Sequence, residues 1–341
     1  MNNLFKVITI TLIMALLTGC SAIGLDKNQL DNTSSNDGVY ISNDVDIFGN
    51  RRDGGDISEN TNSDAGLYVH FIDVGQADAI LVLADNGDAA LIDGGNKDDG
   101  YDLLKYLNYV GVERLKFVIA THPHEDHIGG LITVLENIET DLLIAPYVPD
   151  DILPTTYTYE DFLRVIEKKE INAEFANYGD TMYIGGTTIK ILSDDTVEEA
   201  EYGDLNAYSV VCMLEYGNTS FLLTGDATST ELNKIANHNN VHADVLKVGH
   251  HGSYTSTNDS FVGAVSPKYA VIMCGKNNDY GHPHKEAIGA LDKYNVTTLS
   301  TSEDGTIVFS SDGNKLSYYT KATGEYSLGD SMWNESMISI R

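Results

Sequence analysis

The segment THPHEDHIGG at residues 121–130 constrains this chain more than any other, because His122, His124, Asp126 and His127 place three imidazoles and a carboxylate within six residues. It follows the apolar run LKFVIAT, which reads as a strand, and precedes IGGLITVLENI, which reads as a helix. Donors at that density suit metal ions. In an extended turn His122 and His124 face one ion, while Asp126 and His127 reach a second beside it. Two like-charged ions need a bridging ligand, so the fold must bring another strand end to the same edge. FLLTGDA ends a strand at Asp226, which supplies the bridge, and DVLKVGHHGS ends another at His250 and His251. One of these two histidines completes the second ion, and the other faces substrate or donates a proton. His282 and His284 in DYGHPHKEA close a further strand-like run, for which a helix-entry loop and a substrate contact are equally good readings.

The rest of the chain is organised around that edge. From Leu67 short β-rich runs alternate with helical stretches: LYVHFIDV, AILVLA and AALID as strands, then YDLLKYLNYVG as a helix closed by Gly111. A second series has TTIKILS, YSVVCMLEY and TSFLLTGD as strands, TSTELNKIANH as a helix, then ADVLKVG, a helix near 257–266, YAVIMCG, a helix near 284–294 and the strand GTIVFSS. Two such halves predict helices packed outside two sheets, in a domain over 66–320 followed by a tail over 321–341. Residues 1–20 carry Lys6, the apolar run VITITLIMALL and then Leu17-Thr18-Gly19-Cys20, a signal-peptide pattern too short for a comfortable span. Residues 21–65, rich in Asn, Asp, Ser and Gly, read as a flexible polar stalk.

Composition narrows the partners. Lys and Arg number 21 against 51 Asp and Glu, a formal charge of −30 that argues against binding nucleic acid through a basic patch. Cys20, Cys212 and Cys274 form no C-x-x-C pair, so any metal is held by histidines and carboxylates. Cys212 and Cys274 sit in apolar strands and read as small buried hydrophobes. The chain carries no signal of its oligomeric state.

FIDVGQADAILV, THPHEDHIGG, DLNAYSVVCMLEYGNTSFLLTGDA, ADVLKVGHHGSYTS and NNDYGHPH, in that order and spacing, resemble the metallo-β-lactamase superfamily. The resemblance is greatest to the soluble hydrolase domain of competence-associated ComEC proteins and their stand-alone relatives, and it covers about residues 66–320. It implies a mixed α+β/α/β architecture, the αββα four-layer sandwich, with two divalent ions at one edge between the sheets. Zinc suits the histidine-rich set best, with manganese or iron as alternatives because carboxylates contribute. Carried over residue by residue, the resemblance implies His122, His124, Asp126, His127, Asp226 and one of the HHGS pair as ligands. We expect His250, because a strand running through KVG sends adjacent side chains to opposite sides. His251 then faces the substrate and, with Asp126, carries the catalysis.

Asp73 matches the first motif, where the carboxylate orients a ligand or the metal loop; a plain turn before Gly75 is the alternative. Asp78 is expected outside the ligand set. Many members of the superfamily have another histidine ligand where this chain has Asp204, Asn206 and Ser209, so Asn206 or water is expected to fill that position. The Leu-Thr-Gly-Cys ending resembles a bacterial lipobox, which implies a lipidated Cys20 and an extracytoplasmic, membrane-anchored protein. Together these imply a binuclear hydrolase that cleaves a phosphodiester, of nucleic acid or of the cell envelope, through a metal-activated hydroxide. The alternatives are a non-catalytic metal-binding accessory lipoprotein and a lactone or thioester hydrolase on the same fold.

Overall fold

The computed structural model describes residues 66–194 and 196–320 and the backbone of Ile338–Ser339. The signal segment 1–20 with Cys20, the stalk 21–65 and the remainder of the tail 321–341 lie outside the described residues. One sheet contains β1 (Leu67–Phe71), β2 (Ile80–Ala84), β3 (Ala89–Ile92), β4 (Arg114–Ile119), β5 (Glu139–Ala145) and β6 (Ala173–Phe175). The other contains β7 (Thr181–Ile184), β8 (Thr187–Ile191), β9 (Cys212–Tyr216), β10 (Thr219–Leu223), β11 (Val245–Lys247), β12 (Tyr269–Ile272) and β13 (Thr297–Ser300). The chain then returns to the first sheet as β14 (Ile307–Ser311) and β15 (Leu316–Thr320), with a last strand β16 (Ile338–Ser339). The strand orders are β16-β15-β14-β1-β2-β3-β4-β5-β6 and β13-β12-β11-β10-β9-β8-β7.

Period-two alternation sorts each strand between two environments. In β1, Leu67, Val69 and Phe71 enter the layer between the sheets, where Phe71 and Phe221 each meet Phe309 edge-on, while Tyr68 turns to the helices. In β10, Phe221 and Leu223 point into the same layer and Leu222 points out. Helices Gly100–Tyr109, Leu131–Asn137 and Tyr157–Lys168 cover the outer face of the first sheet through Leu103, Leu107, Leu135 and Phe162. Helices Ser229–His238, Asp259–Val265 and Lys285–Lys293 cover the second through Leu232, Phe261 and Leu291. Each large side chain so buried contributes roughly 1.5–3 kcal/mol. The result is the expected αββα order of layers. Among the described residues no helix is long and apolar enough to cross a membrane.

Strands β3 to β6 run parallel, as do β10 to β13. Parallel strands joined by crossover helices deliver their C-terminal ends, and the loops that follow, to one edge. The edges of the two sheets are joined there by a bond from Val210 N to Thr121 O at 2.8 Å.

The structure departs from the expected elements in three places. The helix after THPH is split at Gly129-Gly130 into Glu125–Ile128 and Leu131–Asn137, because these residues run against the 94–97 loop; a Cβ on Gly130 would overlap the Gly94 carbonyl. The strand expected over YSVVCMLEY begins only at Cys212, since residues 205–208 form a 3₁₀ turn. The strand expected through KVG stops at Lys247, and residues 249–252 turn sharply. β5, β6, β7, β13, β15, β16 and the helix Tyr157–Lys168 went unread; β5, β6, β7 and β13 are short or half-exposed, which weakens their alternation, and β15 and β16 extend the sheet past GTIVFSS, which was expected to be the last strand.

Candidate metal centre

The loop after β4 presents its donors across an extended-to-helical junction. His124 has extended φ/ψ (−76°, 151°) and stands at the N-terminus of the short helix Glu125–Ile128, whose first turn carries Asp126 and His127. His122 Nε2 lies 2.9 Å from His124 Nδ1, and the His122 ring lies against His127 with centroids 4.1 Å apart. From the second sheet, the turn after β10 brings Asp226 Oδ2 to 3.3 Å from His127 Nε2. That turn needs Gly225, whose φ of +49° and approach to Thr121 leave no room for a side chain. Ser209 Oγ accepts from Asp226 N at 3.2 Å, so Ser209 holds the backbone of the turn that carries Asp226.

His250 and His251 part company here. Both have left-handed backbone, φ +49° and +53°, so strand alternation does not govern them. His251 is buried, with Nε2 3.1 Å from Asp126 Oδ2 and 3.5 Å from Asp226 Oδ2, and its Nδ1 donates to the Met273 carbonyl at 2.8 Å. His250 stays partly open at the mouth, with Nε2 3.8 Å from Asp226 Oδ2 and Nδ1 3.1 Å from Thr255 Oγ1. The geometry thus reverses the placement expected for the pair: His251, not His250, points among the carboxylates.

Asp73 also differs from expectation. Its Oδ1 accepts from Gly75 N at 3.2 Å and its own N–H donates to Thr306 Oγ1, the turn-forming alternative. The carboxylates beside the histidines are instead Asp93 and Asp78. His127 Nδ1 donates to Asp93 Oδ2 at 2.8 Å, and Thr121 donates to the same carboxylate through N and Oγ1. Asp78 Oδ1 lies 3.3 Å from His251 Nδ1, and Asp78 Oδ2 lies 2.7 Å from Lys247 Nζ. The available signals were an Asp closing the strand AALID and a lysine inside the apolar strand VLK, which demands a buried counter-ion. Asn206 is buried with its Oδ1 unpartnered. His282 stands at the mouth, its ring stacked on His251 at 6.2 Å and its Nδ1 3.2 Å from Gln76 Nε2. Tyr254 and Tyr280 beside it are exposed, and Cys212 and Cys274 are free and buried, burial pushing the Cys212 thiol up to about 12.

The residues fit a metal. Donor atoms of Asp126, His127, Asp226 and His251 all lie within 4.8 Å of one another, and His127 Nε2 and Asp226 Oδ1 are buried without a hydrogen-bond partner. Four carboxylates, Asp78, Asp93, Asp126 and Asp226, face one buried ammonium, Lys247, which leaves three negative charges to be offset. In the metal-free protein, protons on His251 and His127 offset two of them. Burial opposes charge on His251, but Asp226, Asp78 and Asp126 raise it to about 10. His127 is likewise held well above its ordinary value, against burial, by Asp226, Asp93 and Asp126. Burial would raise Asp226, yet His251 and His127 hold it well below the usual carboxylate range. At the mouth, burial lowers His250, and burial with His250 lowers His282 to about 4.

A family model described as the metallo-beta-lactamase superfamily matches residues 72–276. The chain is similar to ComE operon protein 3 of Bacillus subtilis (strain 168), 32% identical over 263 residues, covering 71% of this chain and 32% of that protein. It is similar to Recombination protein 2 of Haemophilus influenzae, 31% identical over 252 residues, covering 70% of this chain and 28% of that protein. The chain therefore spans about a third of the length of these curated relatives. Among solved structures, the metallo-beta-lactamase fold protein YhfI from Bacillus subtilis aligns with a TM-score of 0.45 at 16% identity, covering 69% of this chain and 96% of that one. CmlA, a diiron beta-hydroxylase from Streptomyces venezuelae, aligns with a TM-score of 0.45 at 16% identity, covering 69% and 52%.

Proposed function

This chain belongs to the metallo-β-lactamase superfamily, and on that premise we propose that it is a binuclear metal-dependent hydrolase acting on a phosphodiester. The observation that carries the reading is the meeting of Asp226, from the second sheet, with His127 and Asp126, from the first, around unpartnered donor atoms. Asp126, His127, Asp226 and His251 would hold one ion, and His122 and His124, with Asp226 as the bridge, the other. Divalent ions there would supply Lewis acidity toward the scissile group and lower the pKa of water. Zinc suits the imidazole-rich set, and manganese or iron the carboxylate share.

The chain's own residues do the positioning. Asp93 and Asp78 beside the inner nitrogens of His127 and His251 leave each Nε2 directed at the cluster. Asp126 is open on one side, so its carboxylate is placed to accept a hydrogen bond from the attacking water. His250 and His282, partly open at the mouth, take the substrate side, where the neutral His250 imidazole is placed to donate a hydrogen bond to the leaving oxygen. A charge of −30 favours a short or wall-linked phosphodiester over a long polyanion. The Leu17-Thr18-Gly19-Cys20 segment supports anchoring through a lipidated Cys20.

Elemental analysis of the purified full chain, followed by a screen of chromogenic phosphodiesters, phosphomonoesters, lactones, thioesters and lactams, tests the reading. We expect about two ions per chain and turnover greatest on diesters. Absence of metal removes the hydrolase reading, and turnover confined to lactones, thioesters or lactams removes the phosphodiester. Fractionation of cells bearing the wild type or Cys20→Ala tests the anchor, which fails if the wild type is free in the medium with an unmodified N-terminus.

A further inference from the structure

Lys247 is the one lysine or arginine buried among the described residues, with none of its side chain exposed. An ammonium without water is costly, and replacing a buried ion pair by apolar side chains of similar volume is often neutral or stabilising. Stability of the fold is therefore a poor reason for its presence. Val245, two residues earlier on β11, lies in the layer between the sheets, and Lys247 leaves the strand on the same side. Its Nζ lies 2.7 Å from Asp78 Oδ2 and donates to the Val248 carbonyl at 2.9 Å.

Each of these partners leads to a different part of the centre. Asp78 belongs to the loop between β1 and β2; its N–H donates to the Asp126 carbonyl at 3.2 Å, and its carbonyl accepts from Gly95 N at 2.8 Å in the loop after Asp93. Val248 immediately precedes the turn at 249–252, whose backbone sends His251 inward. Among the described residues the two sheets share no strand pairing, yet metal donors must keep their distances within about 0.2 Å. Donors from separate sheets need a tie that does not slide.

We propose that Lys247 is a positioning residue of the metal centre: by clamping Asp78 and the Val248 carbonyl it fixes the Asp126 loop of the first sheet against the His251 turn of the second, so that both side chains meet one ion. The inference rests on the proposed reading of Asp126, His127, Asp226 and His251 as metal ligands, and it concerns geometry rather than the chemical step.

The test uses the purified full chain as wild type, Lys247→Met, Asp78→Asn and the double variant, with Zn²⁺ affinity measured by chelator competition and the absorption spectrum recorded after loading with Co²⁺. Each single variant should weaken one of the two ions by about 10–100-fold and change the cobalt spectrum, while the ion on the His122 and His124 side stays bound. The double variant should bind no more weakly than the weaker single, because both substitutions break the same tie. If Lys247→Met unfolds because Asp78 is left without its partner, the double variant, which removes both charges, supplies the readout. Folded variants that hold both ions within about twofold of wild type overturn the proposal, as do single effects that add in the double. A double variant that fails to fold assigns the pair to the fold and overturns it too. Wild type that binds no metal sinks the metal-centre reading itself, whereas wild type that binds beside unaltered variants sinks this inference alone.

Discussion

The loop after β4 and the turn after β11 bring histidines to the same point by different means. In the first, four donors within six residues follow an ordinary extended-to-helical junction at His124, and all four gather on one side. In the second, two adjacent histidines have left-handed backbone, and one enters the cluster while the other stays at the mouth. Spacing decides the outcome where the backbone is regular. Where it is not, the fold must hold a conformation that non-glycine residues rarely adopt, and neighbouring residues of one type take different jobs.

The harshest way to break this comparison is to remove the residue on which the loop and the turn converge. Asp226→Ala should reduce metal content from about two ions to one or none and hydrolysis to background, as read by elemental analysis and turnover. Retention of both ions at unchanged affinity would show that the two regions form separate sites. Next in size is the division within HHGS. His251→Ala should lose metal and activity together, whereas His250→Ala should keep its metal and lose turnover by about 10²–10³-fold, the effect of removing a hydrogen-bond donor to the leaving oxygen. The opposite pattern of metal content restores the strand-alternation assignment and sinks the contrast drawn here.

A smaller effect concerns pH. Metal requires His127 and His251 unprotonated, but in the metal-free protein both are raised, His251 to about 10. Zinc affinity should therefore climb with pH below that value, by about tenfold per unit for each proton displaced. For metal-free stability the sign is opposite. A folded value raised from 6.5 to about 10 contributes stability present in full below 6.5 and lost as pH rises through 10. Calorimetric titration with Zn²⁺ and thermal melts of metal-free protein at several pH values read both trends, and flat profiles would mean that protons do not stand in for the ions. The smallest effect belongs to Asp73, outside both regions. Asp73→Asn should cost at most about 1 kcal/mol through its bond to Gly75 N and leave zinc affinity within about twofold. A larger loss of affinity would return Asp73 to the centre.

Much of the edge was legible in the sequence because its donors sit at junctions between strands and the turns that follow. THPHEDH and FLLTGDA each end a regular run, and the described structure brings both to one point. Asp93 escaped notice, and Asp78 was read only as lying outside the ligand set, because a single Asp after a strand or in a turn is commonplace; their meaning lies in contacts with His127, 34 residues from Asp93, and with His251 in the other sheet. The helix split at Gly129-Gly130 was hidden for a similar reason, since its cause is the approach of the 94–97 loop.

By itself the sequence determined the layers and the chemistry: alternation in the strands and periodicity in the helices specify which faces are buried, and the kinds of side chain at strand ends specify an imidazole and carboxylate site. Only the tertiary structure decided that His251 points inward, that Asp78 and Asp93 rather than Asp73 lie beside the histidines, and that Lys247 lies between the sheets. The physical reason is range. Burial patterns arise from hydrophobicity repeated every few residues, whereas a left-handed turn and a buried ion pair exist only because distant segments close around them.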